Sequence, residues 1–182
     1  LEGGPLVGAG TTKVLVSNVA DSWDDVRASA AGILCALPLP LPGLDTEVEV
    51  TRALCFAKSL LVSAQVRESD AGASLARVLA KRYAAELGWE MRIHPDASVT
   101  AVTNSKLGSP AGAEATLPLL RSALFLVDDQ VSQAKQDLHS SCLQGLAHGG
   151  LLLCRYLLED LHAAGAQTCL LYTSPSPRDQ CL

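Results

Sequence analysis

The chain has 182 residues, 48% of them hydrophobic but only 4% aromatic, and a formal net charge of −5. That is enough apolar material for one domain with a sizeable core, which excludes wholesale disorder. The acidic balance excludes a general nucleic-acid coat, since phosphate neutralisation needs Lys and Arg clustered across a surface. The apolar residues are mainly Leu and Ala, which fill helix–helix contacts rather than sheet faces, so an all-α class is expected.

Six cysteines stand at 35, 55, 142, 154, 169 and 181 without close pairs, a pattern expected of reduced thiols in a cytosolic protein rather than of a disulfide framework. No uninterrupted apolar run reaches the length of a membrane span, because Leu151–Leu153 is soon followed by Arg155 and Glu159. Leu1 stands where an initiator Met is expected, and the opening LEGGPLVGAGTT has neither a charged leader nor a long apolar stretch, so the chain reads as an internal fragment.

In chain order, Val14, Leu15 and Val19 predict a short helix over residues 13–20, preceded by a loop at Gly8-Ala9-Gly10. That loop is no dinucleotide fingerprint, because the third glycine is missing and no strand leads into it. Ser22 followed by Trp23, Asp24 and Asp25 resembles a capping box and starts a second helix carrying Val26, Ala30, Ile33, Leu34 and Leu37. Pro38 ends it, and Pro38-Leu39-Pro40-Leu41-Pro42-Gly43 makes an extended connector. A third helix over about residues 46–62 carries Val50, Leu54, Ala57, Leu60 and Leu61 and is expected to pack against the second as one repeat-like unit.

After a polar break at residues 63–69, Ser69 or Asp70 is expected to cap a fourth helix with Leu75, Val78, Leu79 and Tyr83 on its apolar stripe. Arg77 and Lys81 fall on the opposite side, Arg82 lies nearer the stripe with Glu86 as its partner, and Gly88 is placed to end the helix. Residues 94–112 are rich in Pro, Ser, Thr, Gly and Asn and predict a mobile surface loop that carries no core. Leu117, Leu120, Leu124, Val127, Val131, Ala134 and Leu138 then alternate steps of three and four, predicting a buried seam on a fifth helix. A last helix over about residues 141–164 uses Leu143, Leu146, Leu153, Leu157 and Leu161, with Gly149-Gly150 as a weak point or a close contact. Paired helices with a repeat on the order of forty residues point to an armadillo- or HEAT-like α-solenoid over residues 1–168.

No group of residues has the spacing of a catalytic centre, and neither a cofactor nor a small-molecule substrate is expected. His139 and Cys142 would give only two ligands of the four that a closed zinc site needs. His148 beside Cys142 or Cys154 lacks an evident orienting acid. Arg67, Arg77, Lys81 and Arg82 form the one local basic grouping and are the candidate contacts for RNA or a partner.

Four stretches carry a resemblance. Trp23-Asp24-Asp25-Val26-Arg27-Ala28-Ser29-Ala30-Ala31, then Val66 through Ala73 (VRESDAGA), then Arg82 through Trp89 (RYAAELGW) resemble successive segments of the thyroid adenoma-associated protein family. His148-Gly149, with Arg155-Tyr156 and Glu159-Asp160-Leu161, resembles that family's helix downstream of its variable loop. Members are very large helical-repeat proteins that act as the non-catalytic partner of a tRNA ribose 2′-O-methyltransferase modifying the first nucleotide of the anticodon loop. The resemblance implies a fragment of the conserved central region, cytoplasmic and off the membrane, with the methyltransferase as partner and tRNA as a further contact. Ser63-Ala64-Gln65 departs from the family's usual Ser-Pro-Arg and loses a basic residue there. The alternative function is a general α-solenoid adaptor between proteins. Finally, Cys169–Asp179 (CLLYTSPSPRD) resembles translated sequencing-library adapter, so residues 169–182 are expected to be a non-native tail.

Overall fold

A computed structural model describes residues 8–21, 23–94, 98–103, 112–136 and 143–165. The fold is mostly helical, with one small hairpin of two strands. The helices are α1 (Ala9–Val19), α2 (Asp24–Ala36), α3 (Glu47–Leu61), α4 (Val66–Leu79), α5 (Leu117–Gln136) and α6 (Leu143–Ala163). A π-helical turn at Ala80–Ala85 prolongs α4, and a 3-10 turn at Ala113–Thr116 leads into α5.

Local chemistry explains most boundaries. Helix α1 begins earlier than expected: Gly8 is the residue before its first turn, and Ala9 and Gly10 are helical rather than looped. Ser22 lies outside the described residues. Asp21 serves the start of α2 instead, its Oδ1 accepting from the Trp23 amide at 2.9 Å. Pro38 stops α2 as expected, since it supplies no amide and crowds the preceding turn. Thr46 and Glu49 form a reciprocal capping box at the head of α3, with Thr46 Oγ1 accepting from the Glu49 amide. Helix α4 starts three residues before Ser69, which is fully buried inside it and donates to the Val66 carbonyl at 2.9 Å rather than capping. Gly88 takes φ 71 as α4's extension ends, a left-handed conformation open to glycine, and its amide donates to Ala84 at 2.8 Å.

The helices assemble as three consecutive pairs, α1/α2, α3/α4 and α5/α6, each joined by a short connection. Helix α4 is central, with α2 against one side and α6 against the other, so α2, α4 and α6 form a row. The expected pairing of α2 with α3 is therefore overturned: α3 packs on α4. The proline connector has its own anchors, because Leu41 and Leu44 are buried, Tyr83 Oη donates to the Leu44 carbonyl at 2.6 Å, and Arg82 Nη2 donates to the Leu37 carbonyl. Those bonds hold the chain across the end of α4 and leave α2 free to lie beside it.

The all-α expectation is corrected by β1 (Glu90–Ile93) and β2 (Val99–Val102), paired antiparallel with Met91 opposite Ala101 and Ile93 opposite Val99. These four side chains are buried, while Arg92 and Val102 face out, the period-two alternation of a half-buried strand. Part of the expected loop thus carries core, between α3 and α5. The outer edge of β2 is closed by α3: Thr51 Oγ1 accepts from the Ala101 amide at 3.2 Å, and Glu47 Oε1 accepts from both the amide and the hydroxyl of Thr103 at 2.6 Å. Unpaired strand edges invite further pairing, and this one is capped by side chains. Residues 95–97, 104–111 and 137–142 lie outside the described residues, as does the expected adapter tail.

The Thr103 bonds hold the Glu47 carboxyl below the ordinary carboxylate range. A depressed folded value means stability that is present above the unfolded value and lost as pH falls through the folded one. Acidification should therefore loosen the hairpin from α3 before the helical core responds. Protection of the Thr103 amide, its exchange relative to the intrinsic rate at the same pH, should fall as the solution is acidified, and Glu47→Gln should remove that pH dependence. Equal acid dependence in the two proteins would refute the assignment.

Candidate functional site

A groove runs along the row of helices, bounded by α2 on one side and by α4 and α6 on the other. It consists of two confluent hollows of about 490 and 350 Å³ that share Ala31, Ser74 and Tyr156. Small side chains make it: Ala28 and Ala31 on α2 face Ser74 on α4, so the helices meet without side chains long enough to fill the gap.

Most of the charged groups that line the groove are paired, Lys81 excepted. In the larger hollow, Arg27 is buried, its Nη1 donates to the Asp21 carbonyl at 2.9 Å, and its Nη2 donates to Asp24. Across from it, His148 Nε2 on α6 meets Asp70 Oδ1 on α4 at 2.7 Å. In the smaller hollow, Arg77 clamps Asp160 with two bonds, Nε to Oδ2 at 2.8 Å and Nη2 to Oδ1 at 2.6 Å. The same guanidinium lies 4.7 Å from the centroid of the Tyr156 ring, and Glu159 Oε2 stands 4.0 Å from Nη2. These acceptors, Asp160 first, push the Arg77 pKa up, so its charge is permanent but largely spent on α6.

The four basic candidates separate in space. Arg77 does not project onto an open face: it is half-buried and joins α4 to α6. Lys81 lines the smaller hollow and is exposed, with no ion-pair partner among the described residues. Arg67 is exposed on the first turn of α4 and is likewise without an ion-pair partner among the described residues. Arg82 is buried and pairs with Glu86 as expected, Nη1 to Oε1 at 2.6 Å, while its other end holds the Leu37 carbonyl, so its role is structural.

His148 does have an acidic partner, which sequence reasoning missed because Asp70 is 78 residues away on a different helix. It is not paired with Cys154. That thiol is buried and pushed up to about 11 by loss of solvation, which keeps it protonated and unreactive at neutral pH. Cys35, Cys55 and Cys154 are free thiols, and His139 and Cys142 lie outside the described residues. Among the described residues, no group of three or more His, Cys, Asp or Glu is arranged to hold a metal ion, and no helix is long and apolar enough to cross a membrane.

Comparisons with protein-family models, with curated proteins and with solved structures return no match for this chain. The functional reading therefore rests on the groove and on the segments that meet there. Asp24, Arg27, Ala28 and Ala31 come from the first segment of the resemblance, Val66 and Asp70 from the second, and His148, Tyr156 and Asp160 from the last. Ser74 and the long-range partners of Arg77 and His148 had no local signal in the sequence, since ion pairs between helices leave no periodicity.

Proposed function

We propose that this chain is a non-catalytic helical scaffold for a tRNA ribose 2′-O-methyltransferase, built as part of an α-solenoid, with the groove as its partner-binding surface. The observation that carries the reading is convergence. Three family-like segments, far apart in sequence, supply most of the wall of a single groove. The order of the helices supports the solenoid part, because α2, α4 and α6 lie side by side as the inner members of three successive pairs. The internal pairing of most of the groove's charges suits a preformed docking surface, where matched groups give register and selectivity rather than general anion attraction. Direct tRNA contact falls to Arg67 and Lys81, the two exposed basic candidates without ion-pair partners among the described residues.

The test is capture of the protein from cells, followed by assay of the methyltransferase and of ribose methylation at the first nucleotide of the anticodon loop. Ala28→Arg fills the groove from an exposed position, so the fold should survive while the methyltransferase and the modification are lost. Arg52→Glu, on the exposed face of α3, is the control and should retain both. A wild-type protein that brings down no methyltransferase, or an Ala28→Arg protein that brings it down undiminished, would overturn the reading. Recovery of other proteins that depend on the groove would favour the general adaptor instead.

A further inference from the structure

Because α4 lies between α2 and α6, its stripe of Val66, Asp70, Ser74, Arg77 and Lys81 forms the base of the groove, and the two neighbours form its sides. The three helices run in the same direction, since residue numbers climb on each of them from the larger hollow to the smaller: Asp24 to Cys35, Val66 to Lys81 and His148 to Asp160. The groove therefore follows the helix axes. At about 1.5 Å per residue its base is about 22 Å long.

The charges along this base do not cancel evenly. In the larger hollow Arg27 neutralises Asp24, whereas Asp70 is bonded to the His148 ring, which leaves the carboxylate charge in place when the imidazole is neutral. In the smaller hollow Asp160 neutralises Arg77, and Lys81 stands without an ion-pair partner among the described residues. The groove is thus polarised, negative toward the start of α4 and positive toward its end. Asp70 and Lys81 are about 16 Å apart along the helix axis. Between them lie Ala31, Ser74 and Tyr156, the residues common to both hollows, which add no charge.

We propose that the groove takes a short extended peptide segment of a partner protein, basic where it meets Asp70, acidic where it meets Lys81 and uncharged between. This rests on the reading of the groove as the partner-binding surface, but not on the partner being a methyltransferase. Size selects the extended form: at about 3.3 Å per residue, six or seven residues cover the base, and the two charged ones fall about four to six positions apart. A helix about 10 Å wide and as long as the base fills on the order of 1,700 Å³. The hollows of about 490 and 350 Å³ hold far less. An RNA strand is disfavoured in the groove itself, because Asp24, Asp70 and Asp160 line it and would meet phosphate. The reversed peptide would set like charges together, so the polarity fixes direction as well as register. Lys81 is also a candidate for tRNA contact, and the charge preference of bound peptides decides between the two uses.

Selection of random linear heptapeptides, displayed on phage, against the immobilised 182-residue protein tests it. The wild type should enrich sequences that carry Lys or Arg and Asp or Glu about four to six positions apart, always in the same order. Lys81→Glu should turn the acidic preference into a basic one, and Lys81→Gln should abolish it, with the other end unchanged. Asp70→Asn, whose amide oxygen can still bond His148, should abolish the basic preference in the same way. Ala28→Arg, which fills the groove, should weaken binding of the wild-type sequences at least about tenfold. Circular dichroism checks that each variant is folded. A wild type that enriches no such charge pair sinks the proposal, as does a Lys81→Glu protein that selects the same charges as the wild type. The selection contains no methyltransferase, so a groove that sorts peptides by charge while cells yield no methyltransferase would sink only the functional reading. Absent charge sorting beside intact capture would sink only this inference.

Discussion

Gly72→Ala is expected to destabilise the protein by about 3 kcal/mol, although alanine is the better helix former by about 1 kcal/mol. A methyl group at this position of α4 would lie 2.4 Å from the Leu61 nitrogen and 2.7 Å from the Ala57 carbonyl oxygen. Both obstacles are backbone of α3, so no side chain can turn away, and the two helices would have to separate along their length. Gly149→Ala should behave similarly from the other side, since its methyl group would sit 2.4 Å from the Leu61 carbonyl oxygen. The two glycines close on the same turn of α3, so the double variant should lose less than the sum of the single losses. Gly32→Ala on α2 is the internal control: nothing lies within 4 Å of its added carbon, and the variant should gain about 0.5–1 kcal/mol. Urea denaturation reads all four variants. A Gly72→Ala protein as stable as the wild type would mean that α3 and α4 do not cross where described.

The glycines mark a limit of what the sequence discloses. The pair Gly149-Gly150 was legible as either a weak point or a close contact, and the approach of α3 and α5 to α6 decides for contact, but Gly72 gave no sign because alanines surround it. Helix ends set by covalent constraint were legible, as at Pro38 and Gly88. Those set by long-range packing were not. Ser69 has the chemistry of a cap yet is buried within α4, because the chain reaches helical geometry as soon as Val66 clears the turn after α3. The hairpin was not legible because β2 is only four residues of Val, Thr and Ala among turn formers, and its alternation has meaning only between α3 and α5.

The groove was legible in pieces. Trp23–Arg27 and the basic cluster stand out in the sequence, but as local motifs: one reads as the start of a helix, the other as an exposed face. Their three-dimensional roles come from partners on other helices, Asp160 for Arg77 and Asp70 for His148. A salt bridge between helices cannot be found from residue spacing until the packing is known. The consequence for Arg77 is direct: replacing it with Glu would set a third carboxylate beside those of Glu159 and Asp160, so that variant would report on folding as well as on binding.

Leu120→Ala and Leu124→Ala are expected to part company, although the sequence assigns both to one seam. Leu120 has no exposed surface and belongs to the core that α5 shares with α6 and the hairpin. Its truncation should cost about 2–5 kcal/mol, through lost transfer energy and a cavity that fixed neighbours cannot close. Leu124, one turn further along, is 49% exposed, and its truncation removes surface that water already touches. In dilute solution that loss should stay below about 1 kcal/mol. The reason for the divergence is that a step of four residues overshoots one helical turn by about 40°, which carries Leu124 from the buried face of Leu120 across the boundary to solvent. Leu119, Ala123 and Leu126, all buried, show that the true inner face is turned toward the hairpin side of that seam. Urea denaturation separates the two variants, and equal deficits would place both side chains in the same environment and contradict the orientation of α5.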